Sequence, residues 1–277
     1  MRCSLIVSVY KDTESLDFIL KSLINQTILP DEIIISEDGN SSEMADYIPQ
    51  AKNKYSQLNI IHLFQEDLGW RKNRALNRAI VAASYEYLIF IDGDCIPYSN
   101  FIEGHLADAQ KNQVLSGKRL ELGPLVSERV KSGGLKLLDL QQHFLWHIPS
   151  LLQDKTRHLE DGLSFKPKGL IANLLHRRHV RHIIGCNFSC FKSDFLKING
   201  FNEDFILPCE GEDVDPSWRF RSSGIEIKSC RCTANIFHLH HEKRFSDKEG
   251  QINREIMHAN QKKNTFYCLN GINKITD

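Results

Sequence analysis

Neither sign of charge dominates this chain. Its 277 residues carry 35 Lys plus Arg against 35 Asp plus Glu, so no global field points to a nucleic-acid partner. Cysteine is present but unpatterned. The eight cysteines (Cys3, Cys95, Cys186, Cys190, Cys209, Cys230, Cys232, Cys268) form no spaced framework, and a chain this long buries enough core to do without one. We read them as reduced thiols. The pairs Cys186/Cys190 and Cys230/Cys232 lack CxxC spacing, and no matching second pair exists for a structural zinc. Long apolar runs are missing too. No stretch approaches the ~20 residues that span a bilayer. "CSLIVSVY", straight after Met1 and Arg2, is too short for a signal-peptide core and has no cleavage site after it. These absences lead us to expect a cytoplasmic protein in which the sequons at Asn25, Asn40 and Asn187 carry no meaning. No repeats or low-complexity tracts occur.

What is there is alternation. "SLIVSVY" (4–10), "EIIIS" (32–36), "LNIIHLF" (58–64) and "YLIFI" (87–91) read as buried strands. Between them, Leu16, Ile19, Leu20, Leu23 and Ile24 fall at helical spacing behind Asp12, a helix-capping residue type. A helix over 43–55 follows, then one over 71–83 with Ala75, Leu76, Ala79, Ile80 and Ala83 inward. Continuous apolar strands alternating with helices predict a mostly parallel central sheet flanked by helices. Ligands of such sheets bind at the carboxyl ends of the strands. Asp12, Glu37, Asp38, Asp92 and Asp94 all fall just past strand ends.

Beyond residue 98 the alternation stops. We expect a helix at 100–111, a strand over 114–123, a largely helical insertion over 128–182 broken at Pro149 and Pro167, and a strand over 182–192. A strand through "IEIKSCRCTANIFHLHH" comes next, then a last helix opened by the capping-box pair Ser246 and Glu249 and carrying Ile252, Ile256 and Met257. The division expected is a nucleotide-binding half (1–98), an acceptor and catalytic half (99–245) and a C-terminal helix and tail (246–277).

"IDGDC" follows the fourth strand. Asp, Gly and Pro end strands, and residues i and i+2 of an extended segment point to one side. Asp92 and Asp94 can therefore converge on a divalent cation. The competing reading is a solvated Asp-Gly turn.

Taken together, the motifs resemble family 2 glycosyltransferases of the GT-A fold. "LIVSVYKDTESLDFILKSLINQTILPDEIIISEDGNS" is similar to the family's opening, with "EDG" where "DDG" is usual. "GWRKNRALNRAI…YEYLIFIDGDC" resembles its Asn-bearing helix and DxD strand. "GCNFSCFKSDFLKINGFNEDFILPCEGEDVDPSWRFRSSG" resembles the carboxyl half of galactosyltransferase and chondroitin-polymerase-like members, and "FHLHH" their histidine-bearing strand. The likeness covers residues 4–95 and 183–242.

The resemblance implies an inverting, metal-dependent transferase. It would move a sugar from a UDP-sugar to a glycan or lipid-linked glycan in surface polysaccharide or lipooligosaccharide synthesis. Asp94 is the implied ligand of Mn²⁺ or Mg²⁺, with Asp92 on the metal, the ribose or both. His238 is a further ligand, with His240 and His241 as alternates. Asp213 is the implied general base, with Glu212 beside it, the two roles being exchangeable. Asp38 would accept from the uracil imide, Asp12 would do the same or meet the ribose, and Tyr10 would line the base pocket. Arg71, Lys72 and Asn77 would meet diphosphate or uridine. Trp70 suits sugar stacking or a core position equally.

Residues 162–193 contain no acid. Arg177, Arg178 and Arg181 within them suggest an anionic acceptor or a peripheral membrane contact, against the alternative of a solvated basic face. Two other function classes remain on the table. A nucleotidyltransferase would need a Gly-rich loop after the first strand to cradle triphosphate, and "VSVYKDTES" has no glycine. A non-catalytic sugar-binding module would not need the DxD, the acidic loop and the histidine strand together.

Overall fold

The computed structural model describes residues 1–176, 179–209, 211–242 and 246–274. Its first part is the expected alternation: β1 (Cys3–Val9), α1 (Thr13–Leu23), β2 (Glu32–Glu37), α2 (Ser42–Lys54), β3 (Ile60–Leu63), α3 (Lys72–Ala82) and β4 (Tyr87–Asp92). Apolar spacing explains the helices. Leu16, Ile19, Leu20 and Leu23 of α1 are buried, as are Ala75, Leu76, Ala79 and Ile80 of α3. β1 and β2 are buried along their whole length, as strands covered by helices on both faces must be.

The remaining elements are β5 (Cys95–Pro97), α4 (Phe101–Ala107), β6 (Gln113–Ser116), β7 (Lys118–Glu121), α5 (Pro124–Lys131), α6 (Leu137–Gln142), α7 (Phe144–Gln153), α8 (Leu170–His176), β8 (Asn187–Phe191), α9 (Lys192–Leu196), α10 (Val214–Ser222), β9 (Glu226–Ser229), β10 (Asn235–His238) and α11 (Asp247–Lys262). The central sheet has seven strands in the order β3-β2-β1-β4-β8-β6-β9. Only β8 runs against its neighbours, pairing antiparallel with β4 and with β6. A smaller sheet, β5-β10-β7, stands beside it.

Three chain segments pass from the large sheet into the small one: β4 to β5, β6 to β7, and β9 to β10. This corrects two sequence expectations. The single strand expected over 114–123 breaks at Gly117, and the one through 225–241 breaks at the turn 230–234. Gly117 is required at its corner, because an added Cβ would collide with the Asn187 amide. Asn187 ties the corner together. Its Nδ2 donates to Lys118 O and Ala234 O, each at 2.8 Å, and its Oδ1 lies 3.0 Å from His105 Nε2. In the small sheet Ile96 pairs with Phe237 and Cys95 with His238. Residues directly opposite one another share a face, so the apolar pair and the histidine point to opposite sides.

The insertion differs from expectation in detail. Its helices begin at Pro124, a loop fills 162–169, and Pro149 sits inside α7 instead of ending it. The capping box of Ser246 and Glu249 is formed. However, α11 turns Asn253 and Met257 inward and leaves Ile252 exposed, because Asn253 Nδ2 donates to the carbonyls of Leu207, Pro208 and Cys209. Among the described residues the cysteines form no disulfide.

Asn187→Ala should lower stability by about 2–4 kcal/mol, since buried carbonyls of two strands lose their donor at once. Urea denaturation checks this. A loss under about 0.5 kcal/mol would show that the corner does not depend on the amide.

Candidate active site

The carboxyl end of β4 delivers Asp92. Gly93 follows because a Cβ there would sit 2.9 Å from Ser8 O and 3.0 Å from Val9 Cγ1. The chain can then turn past the end of β1 and present Asp94 at the start of β5. Lys72, on the first turn of α3, reaches across from the other side. Its Nζ lies 2.8 Å from Asp92 Oδ1 and 3.3 Å from Glu212 Oε1, and the residue is only 7% exposed. One ammonium thus joins the DxD strand to the acidic loop, across 140 positions of sequence.

The electrostatics follow from that count of charges. Burial pushes the Lys72 amine down, but the charges of Asp92 and Glu212 outweigh it, so it stays protonated. Glu212 is raised above the ordinary glutamate range by burial, with Asp92 and Asp213 adding to the rise and Lys72 opposing it. Asp213 caps α10, its Oδ1 accepting from Val214 N at 2.6 Å. Gly185, in the segment leading to β8, allows the close approach: a Cβ there would be 3.1 Å from Glu212 Cγ and 3.7 Å from Asp213 Cβ.

A second cluster adjoins the first. His238 Nε2 is 3.6 Å and His241 Nε2 3.3 Å from Asp94. Ligand atoms of Asp94, Cys95 and His238 lie within 4.8 Å of one another. Burial lowers the His238 pKa, with Arg119 adding to the fall, so the ring is neutral and ready to ligate. The buried Cys95 thiol is pushed up by burial and by Cys186, and donates to Asp94 Oδ1. The residues fit a divalent cation held by Asp94 and His238, with Cys95 beside them and His241 within reach of the other Asp94 oxygen.

Several expectations need correction. Asp92 does not join that cluster among the described residues; Lys72 holds it. His240 is exposed and offers its backbone N–H to Ser127 Oγ at 2.9 Å. Asp12 caps α1, its two oxygens accepting from Ser15 N and Ser15 Oγ. Glu37 is buried against His62 and Ser41. Asn77 lies beneath the site, with its Nδ2 2.9 Å from Phe201 O and its Oδ1 2.8 Å from Phe201 N. Arg71 lines a separate groove with Arg74, Glu203 and Asp204. Arg177 and Arg178, like Glu210, lie outside the described residues. Arg181 is exposed near α10, its carbonyl accepting from Arg221.

Asp38, Tyr10 and Trp70 lie on the loops beside these clusters. Asp38 accepts from Arg71 N and from Gln65 Nε2, both at 2.8 Å, and its carboxyl is raised chiefly by burial. Tyr10 stands half-exposed nearby, its hydroxyl donating to Asp67 at 3.1 Å. Trp70 is half-buried, with Lys72 Nζ 5.9 Å from its ring centre, which places it at the cleft and not in the core. Sequence reasoning missed Asn73. Its Nδ2 donates to Asn202 O at 2.8 Å and Gly211 O at 3.3 Å, so it hangs the acidic loop from α3. An Asn at that helix position had no signal to separate it from Asn77.

A carboxyl whose pKa is raised on folding contributes stability below its unfolded pKa and loses it as pH rises through the folded value. Ionised Glu212 is therefore a cost at neutral pH. Glu212→Gln should unfold at the same urea concentration as the parent or higher at pH 8, with that advantage gone at pH 4. A clear loss of stability at pH 8 would show that the Lys72 ion pair outweighs the burial.

Comparison with known proteins fits this geometry. The family described as glycosyl transferase family 2 matches residues 4–144, and the N-terminal domain of galactosyltransferase matches 170–242. Validoxylamine A glucosyltransferase of Streptomyces hygroscopicus subsp. limoneus is 26% identical over 82% of this chain and 49% of its own. An Escherichia coli chondroitin synthase is 28% identical over 82% of this chain and 33% of its own. This chain thus spans about half or less of the length of these relatives. Among solved structures, GalNAc-T7 with UDP, GalNAc and Mn²⁺ superposes with a TM-score of 0.62 at 12% identity, over 92% of this chain and 48% of that one. The sheet, its flanking helices and these matches agree: the chain has the GT-A fold and belongs to glycosyl transferase family 2.

Proposed function

We propose that the protein is an inverting, metal-dependent glycosyltransferase that moves a sugar from a UDP-sugar to a hydroxyl of a glycan or lipid-linked glycan. One observation carries this reading. Lys72 couples the DxD strand to the acidic loop, and the Asp94, His238 and His241 cluster stands two residues away. A cation-binding donor site and a base-bearing acceptor site thus share one cleft. A solvated turn or a sugar-binding module requires no such convergence.

A divalent cation on Asp94, His238 and His241 would supply Lewis-acid neutralisation of the departing diphosphate. Asp92, held by Lys72, receives the ribose. Tyr10 flanks the base, and Asp38, whose oxygens keep further lone pairs, accepts the imide N–H. Asp213 takes the proton of the acceptor hydroxyl as its oxygen attacks the anomeric carbon. The bond to UDP breaks in the same displacement, which inverts the centre. Glu212, pinned by Lys72, orients donor or acceptor sugar. Trp70 stacks on the acceptor, and Arg177, Arg178 and Arg181 meet its anionic part. The setting is the cytoplasm, where surface polysaccharide or lipooligosaccharide precursors are built.

Asp94→Ala should abolish transfer and cation-dependent donor binding. Full activity of the variant, or of the wild type in excess chelator, refutes the metal role. Asp213→Asn should lower kcat by about 10²-fold or more with donor affinity nearly unchanged. A larger kcat loss in Glu212→Gln would exchange the two roles. Calorimetry should find UDP binding that Asp38→Asn weakens; tight Asp38-dependent binding of GDP or CDP, with none of UDP, would reassign the donor.

A further inference from the structure

Among the described residues, twenty large apolar side chains stand exposed, and nine of them fall within 124–176. That segment is about a fifth of the chain, so the concentration is not an even scatter of surface leucines. Three of the nine lie on α8 and three on α7, "FLWHIPSLLQ", the longer of the two and without Asp, Glu, Lys or Arg. Phe144, Ile148 and Leu151 face the protein. Leu145, Trp146, Pro149 and Leu152 form the outer stripe, with Trp146 85% and Leu145 64% exposed. Leu125, 67% exposed, stands near the end of α7, its backbone N–H donating to Asp154 at 3.0 Å.

The surroundings say what would cover this face. Exposed Lys136 lies before α6 and exposed Lys155 follows α7, with Arg157 beyond it paired to Glu121 at 3.2 Å. The one exposed acid on α6 and α7, Asp139, is matched by His143 at 3.0 Å and His147 at 3.1 Å. An uncharged Leu/Trp stripe between basic flanks suits the interface of an anionic bilayer, where indole and leucine enter the headgroup region and Lys and Arg meet lipid phosphates. A protein partner would not call for cations at both ends. Beneath α6 a cavity of about 410 Å³ is lined by apolar groups including Leu135, Leu137 and Phe237, with Lys21 and Lys136 and no acid. That is room for part of a lipid tail beside a phosphate.

The face is also well placed. Ser127, two residues beyond Leu125, accepts from His240 N, and the next residue, His241, meets Asp94. We infer that α7 and the start of α5 dock the protein on an anionic membrane, with the catalytic cleft beside the contact. The inference deepens the lipid-linked acceptor reading and rests on it only for its purpose.

The test uses the full chain with vesicles of phosphatidylcholine alone, or of phosphatidylcholine and phosphatidylglycerol in equal parts. Wild type should cosediment with the anionic vesicles, less so in high salt, with a blue-shifted tryptophan emission. Leu145→Glu/Trp146→Glu should bind at least about tenfold more weakly, the scale of two bulky apolar anchors lost, while keeping donor hydrolysis. Should that variant not fold, brominated lipids should quench wild-type emission, and Trp146→Phe should remove most of the quenching. Absence of wild-type binding, or equal binding by the double variant, overturns the inference. So does a wild-type dimer that the double variant dissociates without any vesicle binding, which would make the face a self-association surface. Donor hydrolysis in the same samples keeps the two readings apart: hydrolysis without vesicle binding sinks the docking alone, and vesicle binding without hydrolysis sinks the transferase alone.

Discussion

One buried ammonium sets the geometry on which the rest depends. Lys72 sits between Asp92 and Glu212, and burying its ammonium is tolerable only while the two partly exposed carboxylates stay paired with it. Without the cation, two carboxylates from opposite halves of the chain would face each other and push apart. With it, α3 becomes a strut. Lys72 fixes charge on its first turn, Asn73 fixes the loop backbone, and Asn77, one turn on, fixes Phe201. Three inward positions of one helix hold the second half of the chain against the first.

The second constraint is the corner where three strands leave the large sheet for the small one. Carbonyls at such a bend lose their ladder partners and must find others in a dry interior. Asn187 answers for Lys118 and Ala234, and Gly117 makes the space. The small sheet exists because of that corner, and it is the small sheet that carries His238 to Asp94. The approach of His238 to Asp94 therefore depends on an amide well away from both.

Charge is apportioned unevenly across this frame. Two carboxylates, Asp92 and Glu212, share one lysine, with Asp213 beside Glu212, so the acids outnumber the cation. Burial raises Glu212 while a backbone N–H engages Asp213.

The sequence by itself determined the strand–helix alternation, the parallel core, the capping of α1 and α11, and the positions of Asp92, Asp94 and the acidic loop. These are local matters: apolar spacing, Asp and Gly at strand ends, Ser and Glu at a helix start. It could not tell Asn73 from Asn77, or choose among His238, His240 and His241. Those differ only in where a side chain points after the strands have bent. Asp12, Glu37 and Asp38 looked alike past strand ends, yet the fold spends Asp12 on a helix cap and Glu37 on His62, and leaves Asp38 at the loop before α3. The breaks within 114–123 and 225–241 were hidden for the same reason. A strand that changes sheets keeps its apolar pattern, and only the packing of Asn187 against Gly117 decides where it turns.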